Sequence, residues 1–329
     1  MPALLRVGLF GLALFALHVD AVWAQAAADY PNRPVTFVVP YAPGGVTDLF
    51  ARLLGQKLAE RLGTPFVVEN RPGASAITAA TAVARSAPNG YTLMMASSTP
   101  MALNVNVHKQ LPYDPTTELT PIALIARVPF VLVVNPSLHI DSVAALVKYV
   151  RERPGQVTYG TPGPGTFHHL NAELFKSIFD LDMVQVPYKG TLPALTDVIG
   201  GHIQLMFSDL PPALPLIQGE KLTALGVTTA QRVPAAPELP PLAEVGVPGF
   251  DSASWHMVVT QGKTPRSIVA KLHEEIGVIM KDPAVVQGLV RDGAIPLVSP
   301  SPDELKQFVR SEIIRWGKVV EKAGIAGSE

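Results

Sequence analysis

Val35-Thr36-Phe37-Val38-Val39-Pro40-Tyr41-Ala42-Pro43-Gly44-Gly45-Val46-Thr47-Asp48 decides the fold. An apolar run stops at a proline, a glycine pair makes a tight turn, and Thr47 and Asp48 open a helix. Leu49, Phe50, Leu53, Leu54, Leu58 and Leu62 form one side of that helix, so the spacing predicts strand Val35–Val39 and helix Asp48–Leu62. A helix start leaves backbone N–H groups without partners and carries roughly half a positive charge, so it holds an anion without Lys or Arg. This turn is read as half of a binding site for a small carboxylate.

Outward from it, strands and helices alternate. Strand Phe66–Glu69, helix Ser75–Ser86 and strand Tyr91–Ala96 follow. The strands are short continuous apolar runs, as in a parallel sheet buried on both faces. The character shifts over Pro121–Pro136, read as a crossing between domains. Alternation resumes with helix Asp141–Arg153, strand Val157–Gly160, helix Thr166–Phe179, strand Met183–Val186, helix Pro193–Ile199, strand Ile203–Phe207 and strand Leu222–Thr228. A proline-dense passage, Val233 to Gly249, is read as a second crossing. Strand Trp255–Thr260 and helices Pro265–Lys281, Pro283–Arg291 and Pro302 to about Lys322 are too few for a core of their own. They are expected to pack back on the first domain. The expectation is an α/β protein with doubly wound sheets and a two-segment hinge.

The 329 residues are 48% hydrophobic and 16% charged, enough for two cores of ordinary size. A net charge of −1 with no long run of one sign gives no nucleic-acid surface. The absence of cysteine excludes disulfides, Cys-ligated metal and Cys nucleophiles. Residues 1–24 read as a cleaved signal peptide: Arg6, the 11-residue apolar run Val7 to Leu17, and the small-x-small site Val22-Trp23-Ala24. That run falls short of the roughly 18 apolar residues that span a bilayer. A soluble exported protein beginning near Gln25 is expected.

The opening turn has a partner. Val157-Thr158-Tyr159-Gly160-Thr161-Pro162-Gly163-Pro164-Gly165-Thr166 repeats strand, glycine turn and helix, with Thr166 as N-cap. Ligands of open α/β sheets bind at such strand ends. Two facing loops across a hinge make a clamp. Prolines donate no N–H. The first loop therefore offers Ala42, Gly44, Gly45, Val46, Thr47 and Asp48, and the second Gly163, Gly165, Thr166 and Phe167. Ser97-Ser98-Thr99 should emerge on the same rim, either facing the cleft or capping a helix. Lys189, in Pro187-Tyr188-Lys189-Gly190, is read as a cationic contact or an exposed loop lysine. Asp209 binds an ammonium or a water, or caps a helix.

Enzyme motifs fail. Gly262-Lys263-Thr264 lacks the upstream glycine of a P-loop, and His273-Glu274 is followed by Gly277 rather than a second His. His168 and His169 project roughly 100° apart on a helix, a poor shared metal site. A Ser98–His169–Asp209 triad has no nucleophile elbow to support it. No catalysis, metal or cofactor is expected.

Six further stretches carry a resemblance: Tyr30-Pro31-Asn32-Arg33-Pro34-Val35, Val39 to Gly45, Val68-Glu69-Asn70-Arg71-Pro72-Gly73-Ala74, Leu111-Pro112-Tyr113-Asp114-Pro115, Val186 to Gly190 and Trp316-Gly317-Lys318-Val319-Val320. From about Tyr30 to Ile325 the chain resembles the Bug-type periplasmic solute-binding receptors of tripartite tricarboxylate transporter systems. The resemblance implies a two-domain, type II periplasmic-binding-protein fold. Domain 1 is expected over 29–128 plus 250–329, and domain 2 over 129–249. It implies a dicarboxylate, acidic amino acid or aromatic acid as ligand and a membrane permease as partner. A sensor kinase is the alternative partner, and an exported hydrolase the more distant reading. A monomer is expected. The ligand-binding residues it implies are Tyr41, Ala42, Pro43, Gly44, Gly45, Thr47 and Asp48 in the first loop, and Gly163, Gly165, Thr166, Phe167 and His169 in the second. Ser97, Ser98, Tyr188, Asp209 and His256 join them. The second loop departs from the family pattern Gly-Ser-Ala-Gly-Asn-Gly-Thr-Ser at Pro162, Pro164 and Phe167. Phe167 and His256 are expected either to tune the pocket toward an aromatic or apolar-bodied acid, or to pack in the hinge.

Overall fold

The computed structural model describes residues 29–329. The expected signal peptide, residues 1–24, lies outside them. In chain order the main elements are β1 (Val35–Val39), α1 (Val46–Leu62), β2 (Phe66–Asn70), α2 (Ile77–Ala84), β3 (Thr92–Ser97), α3 (Asn104–Val107) and β4 (Leu119–Val134). Then come α4 (Val143–Arg151), β5 (Val157–Thr161), α5 (Phe167–Phe179), β6 (Met183–Pro187), α6 (Thr191–Ile199), β7 (Leu205–Asp209), α7 (Leu210–Gln218) and β8 (Thr223–Val227). The chain closes with β9 (Ala253–Gln261), α8 (Arg266–Ile279), α9 (Pro283–Arg291), β10 (Ile295–Pro296) and α10 (Pro302–Lys322).

The fold is α/β, as the alternation predicts, and its sheets are mixed. The strand order is β2-β1-β3-β9-β4-β7-β5-β6, with β8 and β10 also on β4. β1 runs parallel to β2 and β3, and β9 lies antiparallel between β3 and β4. In the second sheet β5 is parallel to β6 and β7, while β7 and β8 are antiparallel to β4. Each sheet is covered on both faces. α1, α8 and α9 enclose a core with Phe37, Leu54 and Ile125 on one face of the first, and α2 and α10 cover Met94, Met257 and Trp316 on the other. The second sheet does the same with Tyr159, Phe175 and Phe207 against α4 and α5, and with Val131, Met206 and Leu195 against α6 and α7.

The region read as a crossing at Pro121–Pro136 is a continuous strand. β4 pairs with β9 up to Pro129, then with β7 from Phe130. Pro121 is accommodated because the register slips between Pro121 and Ala123, so no ladder bond is needed there. The proline-dense passage is not the second crossing. Val233, Ala236 and Leu239 pack with one core of the second sheet and Leu242, Val247 and Phe250 with the other. The chain returns at Ser252, whose N–H bonds the carbonyl of Thr228. A helix absent from the sequence reading, α7, carries Pro211 and Pro212 in its first turn, where a missing N–H costs nothing. The helix expected from Ser75 begins at Ile77, because Ala74, Ser75 and Ala76 all have positive φ (44°, 51° and 74°). Leu49, expected on the buried side of α1, is 45% exposed. Among the described residues no helix is long and apolar enough to cross a membrane.

Candidate functional site

The site grows from the start of α1. Gly44 takes φ 85°, and Gly45 is the N-cap, with no side chain to cap the helix. The Asp48 carboxylate turns back and accepts bonds from Gly44 N–H (2.9 Å), Arg52 Nε and Nη2 (2.9 and 3.0 Å) and Asn70 Nδ2 (2.9 Å). Asn70 also donates to the carbonyl of Tyr41. Burial pushes Asp48 up, but these donors outweigh it and hold the carboxyl below its ordinary value. Asp48 thus fastens the loop. The N–H of Ala42 is bonded to the carbonyl of Lys189 (2.9 Å). Among the described residues, nothing accepts from the N–H groups of Gly45, Val46 and Thr47, as expected of a helix start with no preceding turn.

The second loop spends its expected donors internally. Gly163 N–H goes to Thr161 Oγ1 (3.1 Å) and Gly165 N–H to His169 Nδ1 (3.0 Å). Thr166 caps α5, accepting from His169 N–H (3.4 Å) and donating to the carbonyl of Gly163 (2.8 Å). His169 therefore faces its own loop and Glu173, and burial lowers its pKa. Among the described residues, nothing accepts from the N–H groups of Phe167 and His168.

Both helix starts border one small cavity of about 20 Å³. Of the expected residues, Tyr41, Gly45, Thr47, Ser97, Phe167, Asp209 and His256 line it. Ala42, Pro43, Gly44, Asp48, Ser98, Gly163, Gly165, Thr166, His169 and Tyr188 do not. Gly163 and Tyr188 instead border an outer pocket with Lys189, and the Tyr188 hydroxyl is held by Asp197 (2.6 Å). The sequence reading missed Thr191, Ser254 and Phe130 as lining residues, and counted Val46 among the loop donors without placing it at the ligand. Ser254 had a signal, since it lies two residues before His256 on the same strand face. Phe130, deep in an apolar run, had none.

Among the described residues no Lys or Arg lines this cavity. Its charge is carried by Asp209, which is 4% exposed. Asp209 Oδ2 lies 3.1 Å from His168 Nε2 and accepts from Thr191 Oγ1 (2.8 Å). Burial pushes its pKa up, but the histidines and the Thr191 bond pull it below the ordinary carboxylate range. His256 Nε2 meets Thr47 Oγ1 at 3.1 Å, and burial depresses its pKa to about 4. Tyr41 OH lies 3.2 Å from Ser97 Oγ, and its pKa is pushed up to about 12 by burial. The Ser98–His169–Asp209 triad is not assembled: Ser98 bonds Ser254 (2.8 Å), His169 faces Gly165, and Asp209 takes His168. Phe167 stacks on Phe130 (5.9 Å) and meets the edge of Trp316 (4.5 Å), while His256 packs edge-on against Phe50 (5.4 Å). Both rings touch the cavity, and both are locked in packing between elements.

A family model described as tripartite tricarboxylate transporter family receptor matches residues 50–325. The BugT protein of Bordetella pertussis is 36% identical over 303 residues, covering 92% of this chain and 93% of its own. Among solved structures, an R. palustris protein with adipate aligns at TM-score 0.87 and 40% identity, over 91% of this chain and 99% of that one. MatC from Rhodopseudomonas palustris with bound malate aligns at 0.84 and 32%, over 88% and 100%. Fold, helix-start geometry and these matches agree, and the chain belongs to the tripartite tricarboxylate transporter family of receptors.

Proposed function

We propose that the protein captures a small carboxylic acid between residues 29–128 plus 250–329 on one side and 129–249 on the other, then hands it to the membrane permease of a tripartite transporter. One observation carries this reading. The starts of α1 and α5 border one cavity, and among the described residues nothing accepts from their first N–H groups and no Lys or Arg lines the space. Such dipoles attract an anion strongly enough to hold it and weakly enough to release it. Tyr41 and Ser97 share one hydrogen bond, so one of the two hydroxyls keeps its hydrogen for a ligand in the same space. Relatives solved with adipate and malate support an acid of that class. The reading is of binding without turnover, since the hydroxyls, His168 and Asp209 are committed to one another rather than arranged as nucleophile and base. The basic and apolar start of the sequence supports export to the periplasm.

A thermal-shift screen of the protein lacking residues 1–24 tests this against adipate, malate, glutarate, glutamate and benzoate. A ligand bound only by the folded state raises Tm with concentration, by about 2.7 kcal/mol of added stability at a hundredfold excess over Kd. At least one acid should do so without being consumed. No shift with any acid, or turnover of the bound acid, contradicts the reading.

A further inference from the structure

A site for an anion should not carry an uncompensated carboxylate, yet Asp209 lines this cavity with no Lys or Arg beside it. Its Oδ2 accepts from Thr191 and lies against His168, while no protein donor reaches Oδ1 among the described residues. His168 is buried, with 9% of its side chain exposed, and is fixed by three elements: Asp209 at the end of β7, Thr191 at the start of α6 (3.4 Å), and the ring of Phe130 on β4, set nearly perpendicular at 4.9 Å. A carboxylate only accepts, so His168 Nε2 carries the hydrogen of that bond. The opposite ring nitrogen, Nδ1, is buried with no partner among the described residues. A buried polar atom left unpaired is costly, and here it belongs to a residue bordering the cavity.

We propose that His168 binds the acid as an imidazolium, donating through Nε2–H to Asp209 and through Nδ1–H to the ligand carboxylate, so that capture takes up one proton. This rests on the carboxylate-binding reading above. Without the proton the ligand would sit beside a bare Asp209 charge. With it the pair is neutral and the helix starts act on the ligand undiminished. Imidazole is the side chain whose ordinary titration lies nearest neutral pH. The titratable groups around the pair are His256 on β9 and Tyr41 after β1, both electrostatically coupled to Asp209. His256 does not take the role. His256 also keeps a buried Nδ1 with no partner among the described residues, but its Nε2 meets Thr47 rather than a carboxylate, whereas His168, likewise in the first turn of a helix, has Asp209 at 3.1 Å to offset a positive charge. His168 is also where a neighbour on the same turn would not serve, since His169 is already spent on Gly165.

Isothermal titration of the protein lacking residues 1–24 with the five acids, from about pH 6 to about pH 9, tests the proposal. Buffers of different ionisation enthalpy report proton uptake in the wild type without any substitution. The expected result is uptake of about one proton per acid and a Kd that weakens about tenfold per pH unit at the alkaline end. In His168→Gln the uptake should vanish and the slope flatten to under about twofold per unit. The His168→Gln/Asp209→Asn double variant should bind more tightly than His168→Gln at alkaline pH, because the bare carboxylate is gone. Binding without uptake in the wild type, or an unchanged slope in a folded His168→Gln, overturns the proposal and leaves the carboxylate reading standing. Absence of binding by every acid at every pH overturns both.

Discussion

Asp48 accepts four hydrogen bonds and touches no part of the cavity, whereas Asp209 accepts from Thr191 and His168 and lines it. Asp48→Ala should therefore cost about 1–2 kcal/mol in a urea melt, because it strands the half-buried Gly44 N–H and the Asn70 amide; a loss under about 0.5 kcal/mol would contradict the fastening role. Its pKa is depressed on folding, so its contribution is present above the ordinary carboxylate value and is lost as pH falls through the folded one. His256 acts over a different window. Its folded pKa is about 4 against an ordinary 6.5, so the unfolded chain takes the proton first as pH drops. Stability should fall by about 1.4 kcal/mol per pH unit through that window, roughly 3 kcal/mol in all. His256→Gln should flatten this part of the profile in urea melts at successive pH values, and an unchanged profile would place the titrating group elsewhere. Both aspartates read alike in sequence, as rim acids at strand or helix ends. What separates them is which neighbours fold onto them, Arg52 and Asn70 for one and His168 for the other. The same holds for His168 and His169. Their roughly 100° divergence was legible, but which of them faces Asp209 depends on how α5 sits on its sheet.

At the scale of elements, the glycine pair before α1 divides its work. Gly44 has φ 85°, and a Cβ there would collide with Leu192 on the opposite side of the cleft. Gly45 has φ −74° and nothing near the position of a Cβ. Gly44→Ala should weaken acid binding by about tenfold or more, through left-handed strain and the clash. Gly45→Ala should stay within about twofold, since neither penalty applies. Titration of the two variants with the same acid checks this, and equal losses would contradict it. The β–α alternation and both glycine turns were legible because apolar runs and turn residues act locally. The length of β4 and the existence of α7 were not. Prolines mark a break in sequence, yet Pro121 sits at a register slip and Pro211 and Pro212 occupy a first turn that needs no N–H. Gly163 and Gly165 looked like ligand donors because a count of N–H groups cannot see that Thr161 and His169 accept them.

Across the whole molecule, the two sheets meet through β4, through the return at Ser252, and through contacts at the cleft. Ala42 N–H bonds the carbonyl of Lys189, Ser75 Oγ donates to the carbonyl of Pro164 (2.5 Å), and Phe167 rests on Trp316. Ser75 stands in the left-handed run Ala74–Ala76, a conformation non-glycine residues hold only when their surroundings enforce it. Ser75→Ala should weaken acid affinity by roughly threefold to tenfold, the worth of one hydrogen bond made across the cleft, with little change in Tm of the ligand-free protein. A Tm drop with affinity unchanged would make Ser75 a local structural residue instead. The paired loops and the sheet class were legible at this scale, whereas the packing of the proline-dense passage was not, because it resembles a linker and packs as core. The claim that joins all three scales is that an acid is held between the starts of α1 and α5. Amide chemical shifts of the isotope-labelled protein, recorded as acid is added, test it most directly. The account predicts that the N–H signals of Gly45, Val46, Thr47, Phe167 and His168 move together with a single Kd, while those of Ala42, Gly44, Gly163 and Gly165, already bonded within the protein, move far less. Binding that leaves the first group unmoved and shifts amides elsewhere would contradict it.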